Sequence, residues 1–173
     1  MEEIENGEIR QEMENVEQPL NQEELLLKMD RLRSEQKLPF AVIAGLGAAI
    51  AMAILWAIIT VITEHQIGYM AIAVGIVVGF AVRLAGKGID QIYGIIGAAS
   101  ALLGCVLGNF LSQVGFIGLD PEIGFSYFKA LNFLLSNTQI TIAIMKEAFS
   151  PIDLLFYGIA LYEGFRFSFR KID

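Results

Sequence analysis

One cysteine, one histidine and one tryptophan occur among the 173 residues. With Cys105 alone, no intramolecular disulfide is available, and its place in an apolar run beside Gly104 and Gly108 makes it a small packing residue. With His65 alone, a metal site lacks its converging ligands. Between Glu64 and Gln66 that histidine suits a solvent-facing turn, and no metal or other cofactor is expected. Basic residues are also few, twelve Lys and Arg against nineteen Asp and Glu, for a net charge of −7. No basic patch forms, so nucleic acid is not an expected partner.

That acidity is unevenly spread. Residues 1–38 hold eleven acids and five bases, and residues 39–173 hold eight acids and seven bases. The charge therefore belongs to an amino-terminal tail. What the chain has in excess is apolar residues: 55% of the total, with a mean hydropathy of +0.57. They are gathered into long runs, which is the composition of a transmembrane chain. The Glu-rich start and a first apolar run beginning near Phe40 predict no cleavable signal, the run acting as its own insertion signal.

Small residues recur through two of these runs. Gly68, Ala71, Gly75, Gly79, Val82 and Gly86 stand at steps of three, four, four, three and four. Gly94, Gly97, Ala101, Gly104 and Gly108 stand at three, four, three and four. On a helix each set makes one continuous stripe with little side-chain bulk. In a bilayer, helices gain little by hiding Leu from lipid, but they gain from close backbone approach. The two runs are therefore expected to form a tightly packed transmembrane hairpin, with helix packing through Gly68, Gly75, Gly79, Gly86, Gly94, Gly97, Gly104 and Gly108.

Taken in order, residues 1–20 are polar and without period, which predicts disorder. Asn21 and Glu24 resemble a capping box, and Leu25, Met29 and Leu32 then predict a short amphipathic helix to about Gln36. It either lies near lipid headgroups or docks a cytoplasmic partner. Pro39 suits a first helical turn, and Phe40–Thr63 is uncharged and long enough to cross a hydrocarbon core about 30 Å thick. Further spans are expected at about 67–85 and 92–112. Asp120, Pro121 and Glu122 read as the start of a helix. Ile140, Ile142 and Ile144 alternate as in a strand, but a lone strand at a membrane surface would leave its backbone unpaired, so helix is favoured. Two short helices between 113 and 149 are expected at the interface or tucked against the bundle. Ser150, Pro151 and Asp153 form a capping box for a last span over 151–169, with Asp153 a cap rather than a catalytic residue. The expected fold is all-α: a four-helix transmembrane bundle with short interfacial helices between the third and fourth spans, preceded by an acidic cytoplasmic tail over 1–38.

Lys and Arg positions test that topology. With both termini cytoplasmic, the inner segments hold Arg10, Lys28, Arg31, Arg33, Lys37, Arg83, Lys87, Arg166, Arg170 and Lys171. The outer ones hold Lys129 and Lys146. Removing the last crossing, or adding one over 123–145, would place the basic tail outside. Glu163 and Arg83 lie about 18 Å and about 23 Å from the outer ends of their spans, at 1.5 Å per residue. Charges in lipid usually face the bundle and find partners. An intramembrane ion pair of Glu163 with Arg83, or with Arg166 one turn along, is therefore expected. A proton or ion relay through them is the alternative.

Several phrases carry a resemblance: Ile67-Gly68-Tyr69-Met70-Ala71-Ile72, Ala81-Val82-Arg83 with Gly86-Lys87-Gly88, Gly104-Cys105-Val106-Leu107-Gly108-Asn109, Ser150-Pro151-Ile152-Asp153-Leu154-Leu155-Phe156-Tyr157 and Tyr162-Glu163-Gly164-Phe165-Arg166-Phe167-Ser168-Phe169. Over residues 39–170 the chain resembles an uncharacterised family of small bacterial inner-membrane proteins with four predicted transmembrane helices and a variable amino-terminal tail. The resemblance implies a bacterial inner-membrane location and brings no activity with it.

Three function classes follow. The first is a non-enzymatic structural, scaffold or accessory membrane module in contact with the lipid bilayer. Its small-residue stripes suit a homo-oligomer or serve entirely inside one chain, and residues 1–38 suit a cytoplasmic protein partner. The alternative is a small channel or transporter, alone or as an oligomer, for which the polar candidates are Thr60, Ser100, Asn109, Glu163 and Arg83. No internal repeat of the transporter kind is evident. The third class, an intramembrane enzyme, is not expected. Gly97-Ala98-Ala99-Ser100-Ala101 lacks the Gly-x-Ser-Gly pattern of rhomboid-like proteases, no membrane histidine serves as base, and Gly86-Lys87-Gly88 is too short for a P-loop.

Overall fold

A computed structural model describes residues 22–65, 68–121 and 126–170. The expected disorder over 1–20, the capping role of Asn21, and the residues Glu122 and Lys171 lie outside the described residues. Two units are distinguished, Met1–Ser34 and Glu35–Asp173. In the first, α1 spans Gln22–Ser34, with Glu23 and Glu24 in its first turn and Arg31 and Arg33 in its last. Each sign of charge thus sits at the helix end whose dipole it complements.

The second unit holds six helices: α2 (Leu38–Thr63), α3 (Tyr69–Gly86), α4 (Gln91–Leu119), α5 (Tyr127–Ser136), α6 (Thr138–Ala148) and α7 (Pro151–Phe167). Among the described residues there is no strand, and Ile140, Ile142 and Ile144 lie in α6. Three helices, α2, α3 and α4, are long and apolar enough to cross a membrane. The last helix, α7, has 17 residues and carries Asp153, Glu163 and Arg166. It ends at Phe167 rather than at Phe169.

Each turn has a local cause. Pro39 occupies the first turn of α2, where its missing N–H costs nothing. At the far end Glu64 takes a left-handed conformation, φ 54°, and His65 Nδ1 lies 2.6 Å from the Thr63 carbonyl in an exposed turn. Lys87 ends α3 in the same left-handed way, φ 50°, its amide donating to the Arg83 carbonyl at 3.0 Å. The Ser150 amide donates to Asp153 Oδ2 at 2.8 Å at the head of α7, one arm of a capping box.

The third apolar helix corrects the sequence expectation. α4 continues seven residues past Ser112, to Leu119, because nothing in 113–118 breaks it. Asp120 stops it. That residue precedes Pro121, whose ring disfavours helical backbone at the position before it, and Asp120 is extended at φ −71°, ψ 117°. Asp120 is therefore the end of α4, and among the described residues the next helix, α5, starts after Ser126. The added length is used in packing: Val114 clusters with Ala130 and Leu134 of α5, whereas α6 buries no residue.

Helix directions follow from the contacts. Along α3 and α7 they run Tyr69 with Phe156, Gly75 with Ala160, and Phe80 with Phe167, so these helices are parallel. α2 and α4 are also parallel, through Gly45 with Ser100, Ala49 with Gly104 and Trp56 with Gly108. α3 and α4 lie against each other, and each also touches α2 and α7. α2 and α7 do not meet among the described residues. The interior of this diamond is made of Ala49, Val74, Val78, Ala101, Cys105 and Ala160, all fully buried.

Candidate functional site

The small residues singled out in the sequence meet three different helices. In α3, Gly75 and Gly79 lie on α7: a Cβ at Gly75 would stand 2.6 Å from the Ala160 carbonyl oxygen, and one at Gly79 would stand 2.8 Å from Phe167 Cβ. Gly68 faces the Phe156 ring, and a Cβ at Gly86 would stand 2.6 Å from Ala41 and 2.8 Å from Tyr93. In α4, a Cβ at Gly94 would meet the Phe169 ring at 2.6 Å, and one at Gly97 would meet Ser168 and the Gly164 carbonyl. A Cβ at Gly104 would stand 2.9 Å from Val74 and 3.3 Å from the Ala49 backbone, and one at Gly108 would stand 3.1 Å from Trp56. Two partners lie outside those two stripes. A Cβ at Gly164 of α7 would stand 2.8 Å from the Gly97 carbonyl, and one at Gly45 of α2 would stand 2.9 Å from Ser100 and Val82. Gly45 belongs to a stripe of its own, Ala41, Gly45, Ala49, Ala53 and Ala57 at steps of four, and Gly164 stands between Ala160 and Ser168.

Arg83 and Glu163 are not brought together. Both are half-buried, and among the described residues no ion pair or hydrogen bond joins them. A Cβ at Gly79 would stand 3.2 and 3.1 Å from the carbonyl oxygens of Glu163 and Gly164, so that turn of α3 packs at their level. Arg83 is one turn further along the parallel helix, about 6 Å at 1.5 Å per residue. Nor does Glu163 pair with Arg166, whose guanidinium lies over the rings of Tyr162 and Phe167, 6.0 and 5.7 Å from their centroids. The expected intramembrane ion pair is corrected accordingly.

Polar contacts gather instead at the two ends of the helix pack. At one end, the Lys37 amide donates to the Gly86 carbonyl and the Arg170 amide to the Gly88 carbonyl, both at 2.9 Å. Arg170 Nη1 also reaches Glu35 Oε2 at 3.1 Å. At the other end, Asn109 Nδ2 donates to the Tyr157 hydroxyl at 3.3 Å, and that hydroxyl donates to the Cys105 carbonyl at 3.4 Å. Ser112 Oγ donates to the Gly108 carbonyl at 2.7 Å. Trp56 Nε1 and Thr60 Oγ1 are buried there with no hydrogen-bond partner among the described residues. A cavity of about 370 Å³ opens beside Asn109 and Tyr157, between α4, α6 and α7.

Comparison of this chain with family models, with curated proteins and with solved structures finds no match.

Of the sequence candidates, Asn109 lies at a cavity wall and Thr60 in the interior, while Ser100 is buried toward the opposite end. Tyr157 was not singled out, because an aromatic in an apolar run gives no sign of which way its hydroxyl points. Among the described residues no three His, Cys, Asp or Glu side chains converge as a metal would require. Chemically, then, the arrangement offers hydrogen-bonding groups at each end, separated by the Ala49, Val74, Ala101 and Ala160 layer. The Asn109–Tyr157 end is the one with an open, partly polar recess.

Proposed function

We propose that this chain is a multi-pass protein of the bacterial inner membrane, with four crossings and both termini in the cytoplasm. In this reading it serves as a non-enzymatic structural or accessory module. The observation that carries the fourth crossing is the course of α7. It accompanies α3 from Tyr69–Phe156 to Phe80–Phe167, and the chain just beyond it bonds to the turn that follows α3. A helix that runs parallel to a spanning partner over most of that partner's length crosses with it. Glu163 and Arg166 are tolerated because each lies within about two turns of the helix end, where long side chains reach the interface. The bacterial location rests on the family resemblance, and the orientation on the ten-to-two split of Lys and Arg.

The scaffold reading draws support from the interior. A conduit through one chain needs polar groups along its path, whereas here the middle layer is Ala, Val and Gly backbone in contact. The test is cysteine labelling in intact cells on a Cys105→Ala background. Glu147→Cys is expected to react with an impermeant maleimide from outside, and a cysteine appended after Asp173 only after permeabilisation. External labelling of that appended cysteine would remove the fourth crossing. Liposomes holding the purified chain are expected to leak ions no faster than empty ones. Flux abolished by Glu163→Gln would favour the channel reading instead.

A further inference from the structure

The ends of α3 and α7 lie side by side, since the Arg170 amide, just past α7, donates to the carbonyl of Gly88, just past α3. Each helix carries an arginine in its last turn, Arg83 and Arg166. Neither side chain makes an ion pair or a hydrogen bond among the described residues. Arg166 is exposed, and its guanidinium lies over two rings, 6.0 Å from the centroid of Tyr162 and 5.7 Å from that of Phe167. Phe167 stacks in turn on Phe80 of α3, with 4.9 Å between centroids and 26° between planes. Arg83 stands three residues beyond Phe80, one turn along the same face of α3. The ring pair thus joins the Arg166 guanidinium to the face of α3 that carries Arg83. Arg170, at the same end, is already bound to Glu35 at 3.1 Å.

We propose that these two helix ends bind the phosphate of an anionic phospholipid from the leaflet they reach. A charge at the edge of a hydrocarbon core is held by a partner, and the chain supplies none to Arg83 or Arg166. The rings take the face of the Arg166 guanidinium and leave its N–H edge to donate. That planar fork matches two oxygens of one phosphate, and Arg83 adds a second positive charge across the ring pair. Phe80 is exposed, so an acyl chain lies on it directly beneath the phosphate. The site therefore suits a phosphate that carries hydrocarbon over a free one. A zwitterionic headgroup brings an ammonium to the same two cations, which favours a lipid of net negative charge. Glu163 works against the anion, but it stands three residues before Arg166, about 4.5 Å deeper at 1.5 Å per residue. This inference rests on the membrane reading above, which puts both helix ends at a lipid surface.

The test uses the full chain in a nonionic detergent, titrated with dioctanoyl phosphatidylglycerol, dioctanoyl phosphatidylcholine or glycerol 3-phosphate, with bound ligand counted by native mass spectrometry. Phosphatidylglycerol is expected to bind most tightly. Arg166→Gln and Arg83→Gln are each expected to weaken it about fivefold, the value of one cationic side chain at an anionic surface. Arg166→Lys is expected to recover only part of that loss, because an ammonium keeps the charge without the fork. Glu163→Gln is expected to tighten binding. Lys129→Gln, an exposed lysine of α5, is expected to change nothing. Equal binding of the two phospholipids, an Arg166→Gln effect no larger than that of Lys129→Gln, full recovery by Arg166→Lys, or glycerol 3-phosphate binding as tightly as phosphatidylglycerol would overturn the proposal. A chain that stays dispersed without detergent would instead defeat the membrane reading before any lipid is added, whereas failure at the two arginines alone leaves the labelling pattern intact.

Discussion

Arg170 and Glu35, separated by 135 positions in the chain, meet at 3.1 Å between Nη1 and Oε2. They do so because the segments carrying them are both held to the turn after α3, Lys37 by the Gly86 carbonyl and Arg170 by that of Gly88. The main chain makes the junction, and the side chains add an ion pair across it.

Both members of that pair are about 40% exposed, 39% for Arg170 and 41% for Glu35. Solvent screening limits such pairs to about 0–1 kcal/mol. A double-mutant cycle of Arg170→Ala and Glu35→Ala, read by thermal unfolding in detergent, is expected to return a coupling under about 1 kcal/mol that shrinks as salt is added. A coupling of several kcal/mol would show that the pair, rather than the backbone bonds, holds the junction.

Two glycines give the sharpest contrast. Gly75→Ala places a methyl 2.6 Å from the Ala160 carbonyl oxygen, an atom of the backbone that cannot swing away. Overpacking of this kind costs about 1–3 kcal/mol. Gly158→Ala, in the helix that Gly75 faces, meets nothing within 4 Å and is expected to be neutral or to stabilise by up to about 1 kcal/mol through helix propensity. Unfolding measured side by side should separate them, and equal effects would mean that α3 and α7 do not touch at Gly75.

Thr60 is fully buried, and its hydroxyl has no hydrogen-bond partner among the described residues. An unsatisfied buried polar group costs about 1–3 kcal/mol, and an apolar group of the same shape removes that cost. Thr60→Val is therefore expected to raise stability by about 1 kcal/mol or more. Destabilisation by the same substitution would reveal that the hydroxyl is satisfied after all.

Because Arg83 and Glu163 do not pair, their neutralisation should be independent. Arg83→Gln and Glu163→Gln are expected to be additive in unfolding free energy within about 0.5 kcal/mol. Breaking a true buried pair would instead cost about 3–5 kcal/mol for the first substitution. A strongly non-additive cycle would restore the ion pair.

Legibility differed from one element to the next. α2 was readable as a span from its uncharged length, and the start of α7 from Ser150, Pro151 and Asp153, because capping is chemistry between residues three apart. The end of α4 was misplaced since the run after Ser112 carries polar Gln113 and two glycines, which weaken a helical pattern without breaking it. An acid before a proline suits the start of a helix as well as the end of one, so Asp120 reads either way in sequence. The recess at Asn109 and Tyr157 could not be found from sequence, since its walls come from three helices and the two residues stand 48 positions apart.

Composition and periodicity by themselves pointed to a helical chain with four apolar spans, of which three are helices long and apolar enough for a bilayer, and to where small residues form stripes. These properties depend only on what lies within a turn or two along one helix. Which backbone each glycine meets, whether Arg83 reaches Glu163, and where Asn109 meets Tyr157 were decided by the tertiary structure alone. The cause is axial stagger: sliding one helix by a single turn, about 5.4 Å, leaves every sequence pattern unchanged and exchanges every partner.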